Sequence, residues 1–176
     1  MRHVVMWNDT ETPLAYLITF RSYGTWLHGD KRGSVSRFRN QYKSRRLPPE
    51  PRWLEINTDR LTREIVVLHA EQRTCVEDAI KETCTCRKWD LLAINVRTNH
   101  VHTVVSIGNK APEFALNAFK ANATRRMRES GCWTNGQSPW ADKGSKRHLW
   151  NEQSVQRAIE YVLFGQGDEP FDPEDD

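Results

Sequence analysis

"DLLAINVRTNHVHTVVSI", residues 90–107, decides the fold. Two apolar, alternating runs (90–97 and 100–107) are joined only by Thr98 and Asn99. A period of two is the mark of a half-buried strand, and so short a link implies an antiparallel hairpin. In the second run His100 and His102 are two residues apart. They therefore share one face of the strand, while Val101 turns to the other. Two imidazoles side by side are well placed to chelate a divalent cation. For an isolated pair, exposed or hydrogen-bonded strand histidines explain the pattern more simply.

On either side of the hairpin the period changes. "RTCVEDAIKETCTCRKW" (73–89) predicts a helix, with Val76, Ala79, Ile80 and Thr83 at helical spacing and Thr74 and Glu77 as a capping box. "PEFALNAFKANATRRMRE" (112–129) predicts a second helix opened by Pro112. Its buried stripe is Leu116, Phe119, Ala123 and Met127, and Asn117, Lys120, Thr124 and Arg128 line an opposite, basic face. "SVQRAIEYVLFGQG" (154–167) predicts a third, capped by Ser154 and ended by glycines. "AYLITFRSYG" (15–24) alternates as a strand, with Tyr16, Ile18 and Phe20 on one face and Leu17 and Thr19 on the other. A short strand is expected at 146–150, after a turn-rich, tryptophan-rich stretch. The order implies an α+β layer fold with helices packed on one face of an antiparallel sheet.

The length of 176 residues suits a single domain over 1–167. No apolar stretch approaches a membrane span and no signal peptide opens the chain, so a cytoplasmic protein is expected. Cys75, Cys84, Cys86 and Cys132 read as free thiols. The net charge of +3 conceals an asymmetry: six of the 23 acids lie in residues 168–176, an acidic tail. Residues 1–167 thus carry 26 bases against 17 acids, a net +9, which suggests a polyanionic partner such as nucleic acid. Residues 28–63 read as a basic arm or insertion, with Arg37, Arg39, Arg45 and Arg46 interleaved with Phe38 and Tyr42.

These features carry a resemblance. "YLITFRSYGTWLHGDKRGSV" (16–35), "NHVH" (99–102), "FKANATRRM" (119–127) and "GSKRHLWNEQSVQRAIEYVLFGQG" (144–167) resemble, in that order, the single-tyrosine HUH transposases of insertion sequences and their REP-associated relatives. The likeness runs from about 15 to 167. It implies a ferredoxin-like antiparallel sheet with helices packed on it, of the HUH endonuclease type. It also implies a metal-dependent transposase that nicks and rejoins single-stranded DNA through a 5′-phosphotyrosine. On that likeness Tyr161 is the nucleophile, and His100 and His102 are ligands of Mg²⁺ or Mn²⁺. The partner implied is hairpin-containing single-stranded DNA, contacted by Arg37, Arg39, Arg45, Arg46, Lys120, Arg125 and Arg128. Monomer and homodimer both stay open.

The sequence departs from the pattern at the third ligand. Relatives often carry Gln or Asn four residues after the tyrosine, where this chain has Gly165. Gln166 is the candidate in its place and Glu160 its rival. Two other readings stand beside the enzyme: an inactive relative that binds folded single strands without cutting, and a structural protein that holds zinc between Cys84, Cys86, His100 and His102.

Overall fold

The structure, a computed structural model, describes residues 12–25 and 49–165. Its elements run β1 (Ala15–Arg21), α1 (Pro51–Asp59), α2 (Ala70–Arg87), β2 (Asp90–Val96), β3 (His100–Ser106), α3 (Pro112–Glu129), β4 (Ser145–Leu149) and α4 (Glu152–Phe164). The strands form one antiparallel sheet in the order β2-β3-β1-β4. The expected hairpin is β2–β3, with Asn95 opposite His102. The α+β class holds. Among the described residues no helix is long and apolar enough to cross a membrane.

The helices do not share one face. Tyr16, Ile18, Phe20, Val101 and Val105 point into a core closed by α2 and α3, where Phe119, Ala123 and Met127 are fully buried. Their strand neighbours Ala15, Leu17, Ala93 and Val104 point the other way and pack with Leu149 under Ala158 and Val162 of α4. Strict alternation with apolar residues at both parities makes a sheet that needs cover on both sides. Each fully buried Leu or Val there contributes roughly 1.5–3 kcal/mol. A bulge at Leu92, between the paired Leu91 and Ala93, restores this parity in β2.

Several boundaries move. Residues 51–59, expected in the arm, form α1, which buries none of its side chains. Helix α2 starts at Ala70 rather than near Thr74, because the backbone N–H of His69 donates to Gln72 Oε1 at 2.9 Å. Thr74 lies inside that helix and donates to the Ala70 carbonyl. Asn151, not Ser154, caps α4: its Oδ1 accepts from the Ser154 N–H at 2.8 Å. The residues of the arm from 28 to 48, Arg37, Arg39, Arg45 and Arg46 among them, lie outside the described residues, as do Gln166 and the acidic tail.

Candidate active site

The central strand β3 carries both histidines onto the α4 face. Their ring centroids are 4.6 Å apart, edge to face. His102 sits between Thr19 of β1 and Asn95 of β2 in the strand register, and Thr19 Oγ1 lies 2.7 Å from His102 Nδ1. Asn99 Oδ1 lies 2.6 Å from His100 Nδ1; a carboxamide oxygen only accepts, so that ring nitrogen donates. The Nδ1 atoms are thus both engaged. Burial, then the nearby His100 and Arg97, push His102 down to about 3, so its ring is neutral at physiological pH.

Helix α4 delivers the third ring. Tyr161 stands edge-on to His102 at 5.5 Å between centroids. The helix is held at this end by Asn95, whose Nδ2 donates to the Val162 carbonyl at 2.9 Å. Sequence reasoning passed over Asn95, since an Asn in a half-buried strand has no distinctive pattern; only the cross-strand register shows its role. The two other described tyrosines are placed elsewhere. Tyr16 is buried on the α2/α3 side, its phenol pushed up by burial and by Glu113. The Tyr23 hydroxyl accepts from the Thr62 N–H, and Arg63 lies over its ring. Tyr42 is outside the described residues.

The candidate third ligands separate as well. Gly165 has no donor to offer, and a Cβ there would stand only 3.1 Å from Tyr161 Cα. Glu160 is exposed and accepts from Gln156 Nε2 at 2.9 Å, one turn back along the outer side of α4.

The basic face of α3 needs correction. Thr124 is buried, and with the Lys120 carbonyl it accepts the Trp140 indole N–H. Lys120 is half-buried, and its ammonium donates to the carbonyls of Ala141 and Lys143. Burial first, then Arg21 and Lys146, bring Lys120 down to about 8, against the pull of Asp142. Its nitrogen staples the 141–143 turn to α3. Arg125 and Arg128 are exposed; Arg125 pairs with Glu129, and Arg128 donates to the carbonyls of Asn135 and Gly136. Both lie on the helix that covers the far side of the sheet from the histidines.

A zinc site joining cysteines to the histidines is excluded by the same division. Cys84 is buried in the α2/α3 core, on the opposite side of the sheet from His100 and His102. Among the described residues no group of three or more His, Cys, Asp and Glu side chains is arranged for a metal ion.

The family described as "Transposase IS200 like" matches residues 61–159, more than half of the chain, from before α2 to the middle of α4. The chain belongs to the IS200-like transposases. No curated protein matches its sequence. Among solved structures, this transposase is similar to a REP-associated tyrosine transposase bound to a REP hairpin. The TM-score is 0.52 at 10% identity, over 94% of this chain and 70% of the other. That likeness supports the fold. A Deinococcus radiodurans R1 protein, provisionally described as a transposase, aligns at 15% identity and a TM-score of 0.46, over 90% of this chain and 95% of the other.

Proposed function

We propose that this transposase cuts and rejoins single-stranded DNA with Tyr161 as nucleophile and with Mg²⁺ or Mn²⁺ held by His100 and His102. The observation that carries the proposal is the Tyr161 ring lying 5.5 Å from that of His102, in one chain. The residues fit a metal. His102 turns its Nδ1 to Thr19 and His100 turns its Nδ1 to Asn99, which orients the Nε2 side of each ring as the one that would hold the ion, and a neutral imidazole is the form that ligates. A bound divalent ion neutralises charge on the scissile phosphate. The Tyr161 oxygen attacks phosphorus, the bond to the 3′-oxygen breaks, and that oxygen leaves with a proton as a free 3′-hydroxyl. The 5′-phosphotyrosine keeps the bond energy, so a later 3′-hydroxyl reseals the strand by the reverse displacement. Gln166, which follows Gly165 in the sequence, is the third ligand in this proposal.

The substrate class is hairpin-containing single-stranded DNA, in keeping with the REP hairpin held by the structural neighbour and with the +9 charge of residues 1–167. Arg37, Arg39, Arg45, Arg46, Arg125 and Arg128 are assigned to affinity rather than chemistry. The test is incubation with labelled single strands from the flanks of its own gene, with Mn²⁺, followed by denaturing electrophoresis. A covalent adduct is expected. It is absent in Tyr161→Phe, which keeps DNA binding, and in His100→Ala and His102→Ala. An adduct surviving in Tyr161→Phe overturns the nucleophile. DNA binding without any adduct from the unaltered protein makes it a binding relative.

A further inference from the structure

Cys75 and Cys132 lie 57 positions apart in the chain, yet their sulfurs are 3.9 Å apart. Ser130 completes the group: its Oγ lies 3.3 Å from Cys75 Sγ and donates to Cys132 Sγ at 3.2 Å. Three sides of similar length put the hydroxyl beside the sulfur–sulfur line rather than on it. The site of His100, His102 and Tyr161 uses none of these residues. Both cysteines belong to the α2/α3 core, on the far side of the sheet from the histidines.

The backbones that carry the sulfurs are fixed. Cys75 sits inside α2. The Cys132 carbonyl accepts from Gln72 Nε2 at 2.8 Å, and the Cys132 N–H donates to the Met127 carbonyl at 3.0 Å, so this residue is held to both α2 and α3. A disulfide is about 2.05 Å long, so closing from 3.9 Å takes about 1.9 Å, within reach of rotation about the two Cα–Cβ bonds. Access differs between the two. Cys75 is buried and Cys132 is half-buried, so an oxidant from solvent meets Cys132 first. Burial pushes the Cys132 thiol up, Ser130 pulls against it and Cys75 adds to the push. Little thiolate is then present at neutral pH, and oxidation is slow. Cys84 and Cys86 have no such geometry: two residues apart on α2, they stand about 200° round the helix from each other, one buried and one exposed.

We propose that a peroxide converts Cys75 and Cys132 into a reversible disulfide that clamps α2 to the turn after α3. The Cys132 thiolate attacks one peroxide oxygen, the O–O bond breaks, and the other oxygen leaves as hydroxide and is protonated to water. Cys132 is then a sulfenic acid. The Cys75 sulfur attacks the Cys132 sulfur, the S–O bond breaks, and a second water carries off the Cys75 proton. Each sulfur has given up one electron and the peroxide has taken two. A thiol reductant reverses the bond by exchange. The chain between the two cysteines contains β2, β3 and α3, so the bond closes a loop that includes the strand bearing the histidines. Closing a loop that long restricts the unfolded chain and so stabilises the folded one. None of this depends on the reaction proposed above.

The test treats the purified protein with millimolar hydrogen peroxide, blocks free thiols by alkylation, digests without reductant and maps the peptides by mass spectrometry. Thermal unfolding is followed in parallel. The expected product is a peptide pair joining Cys75 to Cys132, lighter by two hydrogen atoms than the reduced peptides together and lost on adding dithiothreitol. The melting temperature should rise by roughly 4–16 °C on oxidation and return on reduction. Cys86→Ser should leave both results unchanged. Cys132→Ser, at a half-buried position, should abolish the link and the rise, and Cys75→Ser should leave Cys132 as a sulfenic acid that dimedone traps. Cys75 and Cys132 both staying open to alkylation after peroxide, or linking to Cys86 instead, overturns the proposal. A Cys75–Cys132 link that leaves the melting temperature unchanged or lowered overturns the clamp.

Discussion

Thr19→Val isolates what the hydroxyl at the floor of the site does. The substitution keeps the branched shape of the side chain and removes the oxygen 2.7 Å from His102 Nδ1. His102 is only 5% exposed, so water does not readily replace that partner. Leaving a buried N–H unsatisfied costs roughly 1–3 kcal/mol. At this chain length each kcal/mol lowers the melting temperature by about 2–4 °C. The same bond holds the ring in the tautomer that presents Nε2. Without such a partner, metal binding should weaken by about 10- to 100-fold, or roughly 1.4–2.8 kcal/mol. Thermal unfolding reads the first effect, and titration with Mn²⁺ by calorimetry or electron paramagnetic resonance reads the second. A lower melting temperature with unchanged Mn²⁺ affinity would show that the bond serves the fold alone and that His102 is not a ligand. No change in either would refute the reasoning.

Asn95→Ala should cost about 0.5–1.5 kcal/mol in urea unfolding by removing the bond to the Val162 carbonyl. It should also slow adduct formation while DNA affinity holds; an unaltered adduct rate would show that Tyr161 needs no such anchor. Gly144→Ala would put a Cβ 2.8 Å from the Thr19 carbonyl oxygen and 2.9 Å from Leu116 Cδ1. Because backbone cannot yield as a flexible side chain does, a destabilisation of roughly 1–3 kcal/mol is expected, and an undiminished melting temperature would contradict the close approach of β4 to β1. Cys86 is exposed, whereas burial pushes the Cys84 thiol up to about 12. A thiol reagent should therefore modify Cys86 quickly and Cys84 only after unfolding; rapid labelling of both in the native protein would falsify the placement of α2.

The hairpin, the buried stripe of α3 and the shared face of the histidines were legible in residues 90–129 because each rests on a local period. A strand alternates and a helix repeats every 3.6 residues wherever the segment later packs. Helix starts were less legible. Thr74–Glu77 and Ser154 have the right chemistry for caps, but Gln72 and Asn151 reach the free amides first. Lys120 read as a solvent base for a similar reason, since nothing local reveals that the 141–143 turn folds back onto it.

By itself the sequence determined the α+β class, the strand that bears His100 and His102, and the helix that bears Tyr161, all from patterns within about twenty residues. Only the tertiary structure decided that α4 lies on the opposite side of the sheet from α2 and α3. The sheet has apolar residues at both parities, and which helix covers which face is settled by long-range packing. That choice sets Tyr161 against His102 and bars Cys84 from the histidines, while the pairing of β1 with β3 brings Thr19 beside His102 from a strand far away in the chain. Register across strands is a property of paired backbones, so a site assembled across a sheet becomes visible only when the strands have met.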